Sequence, residues 1–403
     1  MIQASSITAR RPFTERGGYK KRNLVLQARP VGPVAYGLLV ASFFPYITFI
    51  PTPFSMQPYP FIFGLLYYVH HSLWHYKFPL VLHLSMITLA AAGILTVFNP
   101  SINAIRSLFN YANFCLLLYC YVHMLATYEN LKIIRFIGLV SVVYICVGFV
   151  QLSISPNIAS CCVGNISDIS VLIESGRGVS SLTPEPTFYG FFCLAFIVIF
   201  EIARHKKPVY INLIGLVFLS ISSLAILCFS VYFCITFIAR LNLRNRAFAL
   251  LALALLFFVF WGNIKQVDLR LISLLDAFIE GSLSVASTDE SIAGRLYHLI
   301  QPWKSFALSW GLPHLFSGLP NGDPRILSGF GSGIYELGIF FLPALFTVIY
   351  ICLKFTLTNP RLIAAPSLLG IIWFNANQLG MSIFIFYLAF MCHHATVVKE
   401  NVA

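Results

Sequence analysis

Residues 204–240 read RHKKPVYINLIGLVFLSISSLAILCFSVYFCITFIAR, and 241–246 add LNLRNR. Between the two basic clusters, 208–239 contains no Asp, Glu, Lys or Arg. A transmembrane helix takes about 20 apolar residues, fewer where the bilayer is thinned, so this run is too long for one crossing. The cluster Ser220-Ile221-Ser222-Ser223 divides it into 208–222 and 224–239. Two crossings return both basic clusters to one side of the membrane, whereas one crossing separates them. Loops rich in Lys and Arg are retained in the cytoplasm, so the split is favoured, and it sets the sidedness of every later segment.

The same reading extends over the chain. Of 403 residues, 58% are hydrophobic and 10% charged, against about 25% charged in a soluble domain. Such a chain cannot cover a water-facing surface, so lipid is the expected solvent. Apolar runs predict spans at 33–50, 60–74, 78–97, 108–126, 134–154, 186–203, 208–222, 224–239, 247–263, 331–353, 362–376 and 379–396. The expectation is an all-α transmembrane bundle of about 12 spans. Residues 1–30 are a basic cytoplasmic tail, and 31–403 form a single transmembrane domain. The tail has too few apolar residues before Val31 to be a cleaved signal peptide.

The net charge of +12 raises the question of nucleic acid. The basic residues gather in the tail and in short clusters between apolar runs, with fewer on the outer side, which is an orientation pattern, so no nucleic-acid partner is expected. Ten cysteines fall mostly inside apolar runs, where Cys acts as a small hydrophobe. Only Cys161 and Cys162 lie in a polar loop, and no spacing matches a metal site. No metal and no cofactor are expected. No P-loop or HExxH is present, and Gly329-Phe-Gly-Ser-Gly333 follows no strand.

Two long segments fall on the outer side, 155–185 and 264–330, and long loops of this kind carry function. In the first, Arg177 precedes Ser181-Leu-Thr-Pro-Glu185-Pro-Thr-Phe-Tyr189-Gly190. Pro186 suits a first helical position, and the free amides after it attract an anion. Arg177, on a loop flanked by Gly176 and Gly178, supplies a bidentate phosphate binder that never loses its charge. Glu185 reads either as a helix-capping acid or as a general base. In the second segment, Asp268, Ser273, Asp276 and Glu280 recur at helical spacing, predicting an amphipathic surface helix. Ser287-Thr-Asp-Glu290 has capping-box spacing and opens a helix that Pro302 ends or bends. This helix carries Arg295, Tyr297 and His298, with Arg295 and His298 on one face. His298, His314, Asp323 and Glu336 are candidate bases, and Arg325 adds an outer cation.

These stretches resemble the O-antigen polymerase and O-antigen ligase superfamily of bacterial inner membranes. The likeness covers roughly 175–340: Arg177, Ser-Leu, Pro184-Glu-Pro-Thr and Tyr189-Gly190 at a helix entrance, then an outer-loop Arg295, Trp303, a Pro…Gly stretch and Glu336-Leu-Gly. The resemblance implies a metal-independent glycosyltransferase with a GT-C-like fold and two larger periplasmic loops. Its donor is an undecaprenyl-diphosphate-linked oligosaccharide, and a chain-length regulator is a further expected partner. Arg177, Arg295, Glu185 and His298 are then catalytic, while Tyr189, Tyr297, His314 and Arg325 bind substrate. Ligases of this superfamily carry a His-Asn pair where this chain has Ile326-Leu327-Ser328, which favours the polymerase branch. A ligase and a transporter of the same lipid-linked glycan are the competing expectations. A transporter would place ionisable residues at mid-membrane depth, and the runs hold almost none. No internal repeat of the kind that builds transporters is evident.

Overall fold

The computed structural model describes residues 30–48, 57–155, 157–158, 162–163, 178–242, 245, 290–317, 328–374 and 379–402. The basic tail before residue 30, the expected span 247–263 and the expected amphipathic helix 268–280 lie outside them. The fold of the described residues is all-α. Four helices are long and apolar enough to cross a membrane by length and composition: Leu80–Phe98, Ile102–Thr127, Asn130–Ser153 and the segment Gly329–Thr358.

The first helices are α1 (Pro33–Phe43), α2 (Tyr59–His70), α3 (Leu80–Phe98), α4 (Ile102–Thr127) and α5 (Asn130–Ser153). The expected span 33–50 stops at Phe43, because Pro45 disfavours helical backbone at Phe44 and donates no amide. The chain instead turns, and Ile47 pairs with Val163 in an isolated antiparallel bridge. The expected span 60–74 breaks at Ser72, which has φ +49. α4 begins six residues before the expected 108, where Ser101 Oγ accepts the Ala104 amide at 3.1 Å.

Next come α6 (Pro186–Ile202), α7 (Lys206–Ile214), a π-helical continuation Gly215–Ser220, and α8 (Ser223–Arg240). The break falls at the serine cluster: Ile221 takes φ +41 and Ser222 caps α8. α9 (Glu290–Leu308) runs through Pro302 and ends six residues beyond it, so the proline does not terminate the helix. The expected span 331–353 is broken into α10 (Gly329–Leu337), a 3₁₀ turn Gly338–Phe341 and α11 (Leu342–Thr358). Gly338 causes the break, with φ +54 and so little room that a Cβ would lie 2.2 Å from the Gly311 carbonyl. α12 (Ala364–Phe374) and α13 (Ser382–Val402) complete the described chain.

α6 and the first half of α13 are apolar on every face and buried all round, as expected of central helices. α4 joins them in the middle of the bundle. The outer helices turn large apolar side chains outward, among them Ile62, Leu66, Ile94, Val97, Leu139 and Phe149. In water so broad an apolar exterior would drive association; in lipid it needs no covering.

The helix ends gather at two poles. At one, Thr48 bonds Cys162, Gln57 bonds Pro45, Gln151 bonds Ser181, Ser107 bonds Glu336 and Asn113 bonds Gly380. At the other, Tyr128 bonds His71, Asn130 bonds His393 and Arg240 pairs with Glu201. Lys77, Lys132, Arg135, Arg204, Lys206, Lys207, Arg240, Lys354 and Arg361 all belong to segments at the second pole. We call it the basic pole and its counterpart the acidic pole, after Glu185 and Glu336.

Candidate functional site

The acidic pole is organised around residues 178–185. Gly178 is wedged against the end of the π-helical segment, where a Cβ would sit 2.0 Å from the Leu219 carbonyl. The Val179 amide donates to that carbonyl at 2.8 Å. Gly176 and Arg177 of the expected glycine-flanked loop lie outside the described residues; at Gly178 the close backbone approach requires glycine. Ser180, Ser181 and Thr183 are fully buried, and their polar groups are turned inward. Gln151 Nε2 donates to the Ser181 carbonyl at 3.0 Å, while the Ser181 amide donates to Gln151 Oε1 at 2.7 Å. Ser181 Oγ donates to the Tyr144 carbonyl at 2.6 Å, and Thr183 Oγ1 donates to the Ser180 and Glu185 carbonyls.

This rigid segment delivers Glu185 to the entrance of α6. Glu185 is the N-cap residue by backbone position, yet its side chain makes no cap hydrogen bond. The carboxylate is half-buried, beside the first-turn amides and close to Tyr46, whose phenol feels its charge. The side chain therefore caps no amide directly, and its charge acts on the start of α6 only through the helix dipole.

The second part of the pole is built by α9, the loop after it and α10. Gly331 approaches Pro302, bringing α10 onto α9. In the loop, Trp310, Leu315 and Phe316 all adopt left-handed backbone. Such strain persists only where surroundings hold it and clusters at functional positions. Here Asn99 Nδ2 donates to the Leu315 carbonyl and the His314 amide to the Tyr335 carbonyl at 3.0 Å. The His314 ring stacks on Tyr335 with centroids 4.3 Å apart, and its Nε2 is shielded with no hydrogen-bond partner. Comparison with known families, curated proteins and solved structures returns no match for this chain. The site is therefore interpreted from its own geometry.

Glu336, on α10, is the best-anchored ionisable group of the pole. Ser107 Oγ donates to its Oε1 at 2.9 Å and Tyr111 Oη to its Oε2 at 2.7 Å. Arg106 lies close enough to bias its charge. Two hydroxyl donors orient the carboxylate and leave lone pairs for a further donor. Ser107 and Tyr111 are absent from the sequence expectations, although their spacing of four puts them on one helix face.

The expected residues divide as follows. Glu185 and His314 stand at the acidic pole. Tyr189 is fully buried and stacks on Tyr144, 6.3 Å between centroids, with its hydroxyl close to where Gly148 and Gly215 would carry side chains. One helical turn past Glu185, its position points into the bundle rather than the mouth. The backbone of Arg295 and His298 lies on α9, and their side chains are outside the described structure. Tyr297, also on α9, is half-buried. Arg177, Asp323 and Arg325 lie outside the described residues. Among the described residues no three of His, Cys, Asp or Glu come together as metal ligands.

Glu185 and Glu336 are linked through the centre of the pole. Tyr46 packs on Phe188 and Phe192 of α6 and reaches Met381 Sδ. Gly380 beside it accepts from Asn113 Nδ2 at 2.6 Å and abuts Asn110 on α4. One turn of α4 thus spans from the start of α13 to the Glu336 carboxylate. Two carboxylates, an unpartnered imidazole nitrogen and an uncapped helix N-terminus share one end of an otherwise apolar bundle.

Proposed function

We propose that this chain is a polytopic, GT-C-like glycosyltransferase of about 12 spans, acting as an O-antigen or related surface-polysaccharide polymerase. It works at the periplasmic face of a bacterial inner membrane, with both termini cytoplasmic. The acidic pole faces the periplasm, in keeping with the concentration of cations at the other pole. The observation that carries the reading is Glu185: a half-buried acid at a helix entrance, without a side-chain cap bond, presented by a segment that Gln151 and Tyr144 hold through Ser181.

In the proposed reaction, the acceptor hydroxyl of a lipid-linked repeat unit attacks the anomeric carbon of the donor glycan. A new C–O bond forms, the bond to undecaprenyl diphosphate breaks, and the electron pair leaves on the diphosphate. Arg177, Arg295 and the first amides of α6 neutralise the charge that develops. Glu185 or His298 takes the proton of the attacking hydroxyl, which contributes about 10²–10⁴-fold. Tyr297, His314 and Arg325 contact the sugar or diphosphate, and Glu336, oriented by two hydroxyls, accepts a sugar hydroxyl. The bilayer holds the polyprenyl tail, and a chain-length regulator is the partner of such an enzyme.

Purified protein given lipid-linked repeat units, without metal or nucleotide, should yield a ladder of products. Arg177→Ala and Arg295→Ala should each abolish the ladder while the folded protein accumulates normally. Normal polymer length in both variants would overturn the assignment. Transfer to lipid A core instead of a ladder would mean a ligase, and no covalent product would point to transport.

A further inference from the structure

α6 ends at the basic pole on an arginine in left-handed conformation. Arg204 has φ +61, and the His205 amide closes back onto the Phe200 carbonyl at 2.8 Å, the six-to-one bond of a Schellman turn. Glycine is the usual occupant of this position because it has no Cβ to strain. α7 starts at Lys206, with His205 as its N-cap residue, no side-chain cap bond and no acid in the first turn. The amides of Lys206 and Lys207 thus lack a side-chain acceptor, and the helix dipole adds to the local positive field.

Arg204 and Lys206 stand at the rim of a cavity of about 590 Å³ between α6, α7 and α8, a volume typical of small-molecule sites. Its walls include Phe200, Val209, Leu213 and a row of Phe229, Phe233 and Phe237 whose centroids are 6.2 and 6.4 Å apart. Phe233 and Phe237 are more than half exposed, so the groove opens sideways, towards lipid. Glu201, the acid at the rim, is already held by the Tyr232 hydroxyl and Arg240. Arg204 and Lys206 are exposed and have no carboxylate partner among the described residues. Thr236 is buried on the cavity wall beside the Tyr232 hydroxyl, whose proton is committed to Glu201.

We propose that this groove binds an anionic membrane lipid. The phosphodiester sits at the start of α7 between Arg204 and Lys206, and a hydrocarbon chain lies along Phe229, Phe233 and Phe237. The net positive rim excludes a purely apolar occupant, and the aromatic wall excludes a purely ionic one; an anionic amphiphile satisfies both. The groove is at the opposite pole from the candidate site, so the inference stands independently of the reaction proposed above.

The test is native mass spectrometry of the full chain, released from nanodiscs containing equal phosphatidylglycerol and phosphatidylcholine. Wild type should retain phosphatidylglycerol preferentially. Arg204→Gly combined with Lys206→Gln should reduce that retention roughly ten-fold, whereas Lys207→Gln, outside the groove, should leave it unchanged. Glycine suits the left-handed position, so the double variant should remain folded. Equal retention of the two lipids would overturn the proposal. So would an equal loss in Lys207→Gln, or displacement of the lipid by millimolar inorganic phosphate.

Discussion

The two ends of α6 use polar chemistry in opposite ways. At its start, Ser181 and Thr183 spend their polar groups on Gln151, Tyr144 and neighbouring carbonyls, while Glu185 makes no side-chain cap bond. At its end, Arg204 and Lys206 are exposed on a strained turn beside an apolar groove. The first end is a rigid mount for one carboxylate. The second keeps its cations uncommitted; each end holds one left-handed residue, Ser181 at the first and Arg204 at the second. A site that must hold reacting atoms to a fraction of an ångström needs the first arrangement. A site that holds a fluid lipid tolerates the second.

The sharpest way to break this contrast is to remove the mount. Gln151 is fully buried and makes three hydrogen bonds, two to Ser181 and one to the Ile158 carbonyl at 3.0 Å. Gln151→Leu keeps the volume but leaves the Ser181 amide and carbonyl unsatisfied. At about 1–3 kcal/mol for each buried group left without a partner, the loss should be roughly 3 kcal/mol. Thermal unfolding in detergent should show a clearly lowered midpoint, and polymer formation should fall with it. An unchanged midpoint would mean that 178–185 is not the rigid element described here.

Much of this contrast could be read from the chain, and the part that could not has a common cause. Charge-free runs marked the helices, and the clusters at 204–207 and 240–246 located the break at Ser220–Ser223. The sequence Pro184-Glu-Pro186 marked the start of α6. Hydropathy does not register what approaches a backbone, so 331–353 looked continuous although Gly311 forces a break at Gly338. It also read the first six residues of α4 as loop, Ser107 among them, and gave Tyr111 no role within the expected span. Their partner Glu336 is more than two hundred residues away, beyond any local period. One signal was present: a lone acid within an apolar run requires partners, and α4 carries hydroxyls at the i, i+4 spacing that supplies them.

The pairing of Glu336 gives a smaller effect that tests the acidic pole from its other side. Tyr111→Phe removes one donor and keeps the ring, so stability should drop by about 1 kcal/mol. If Glu336 positions sugar as proposed, polymer yield should fall further than stability does, because the carboxylate loses its fixed orientation. Ser107→Ala should behave alike, and the double variant should be less than additive, since both residues act through one carboxylate. Stability losses without any change in yield would confine Glu336 to a structural role.

The smallest effect has the opposite sign and tests the basic pole. Relieving the left-handed arginine by Arg204→Gly removes about 1 kcal/mol of backbone strain, partly offset by the greater freedom glycine gives the unfolded chain. In neutral detergent the variant should therefore match or slightly exceed wild type in unfolding midpoint. Anionic lipid should reverse the order. A ligand that binds only the folded state adds about 1.4 kcal/mol at ten times its dissociation constant, and wild type alone retains both cations to bind it. Wild type should thus gain more than the variant on addition of phosphatidylglycerol, and the two stability curves should cross. If the glycine variant is the more stable at every lipid concentration, the strained arginine is not kept for a lipid, and the contrast between the two ends of α6 does not extend to what they bind.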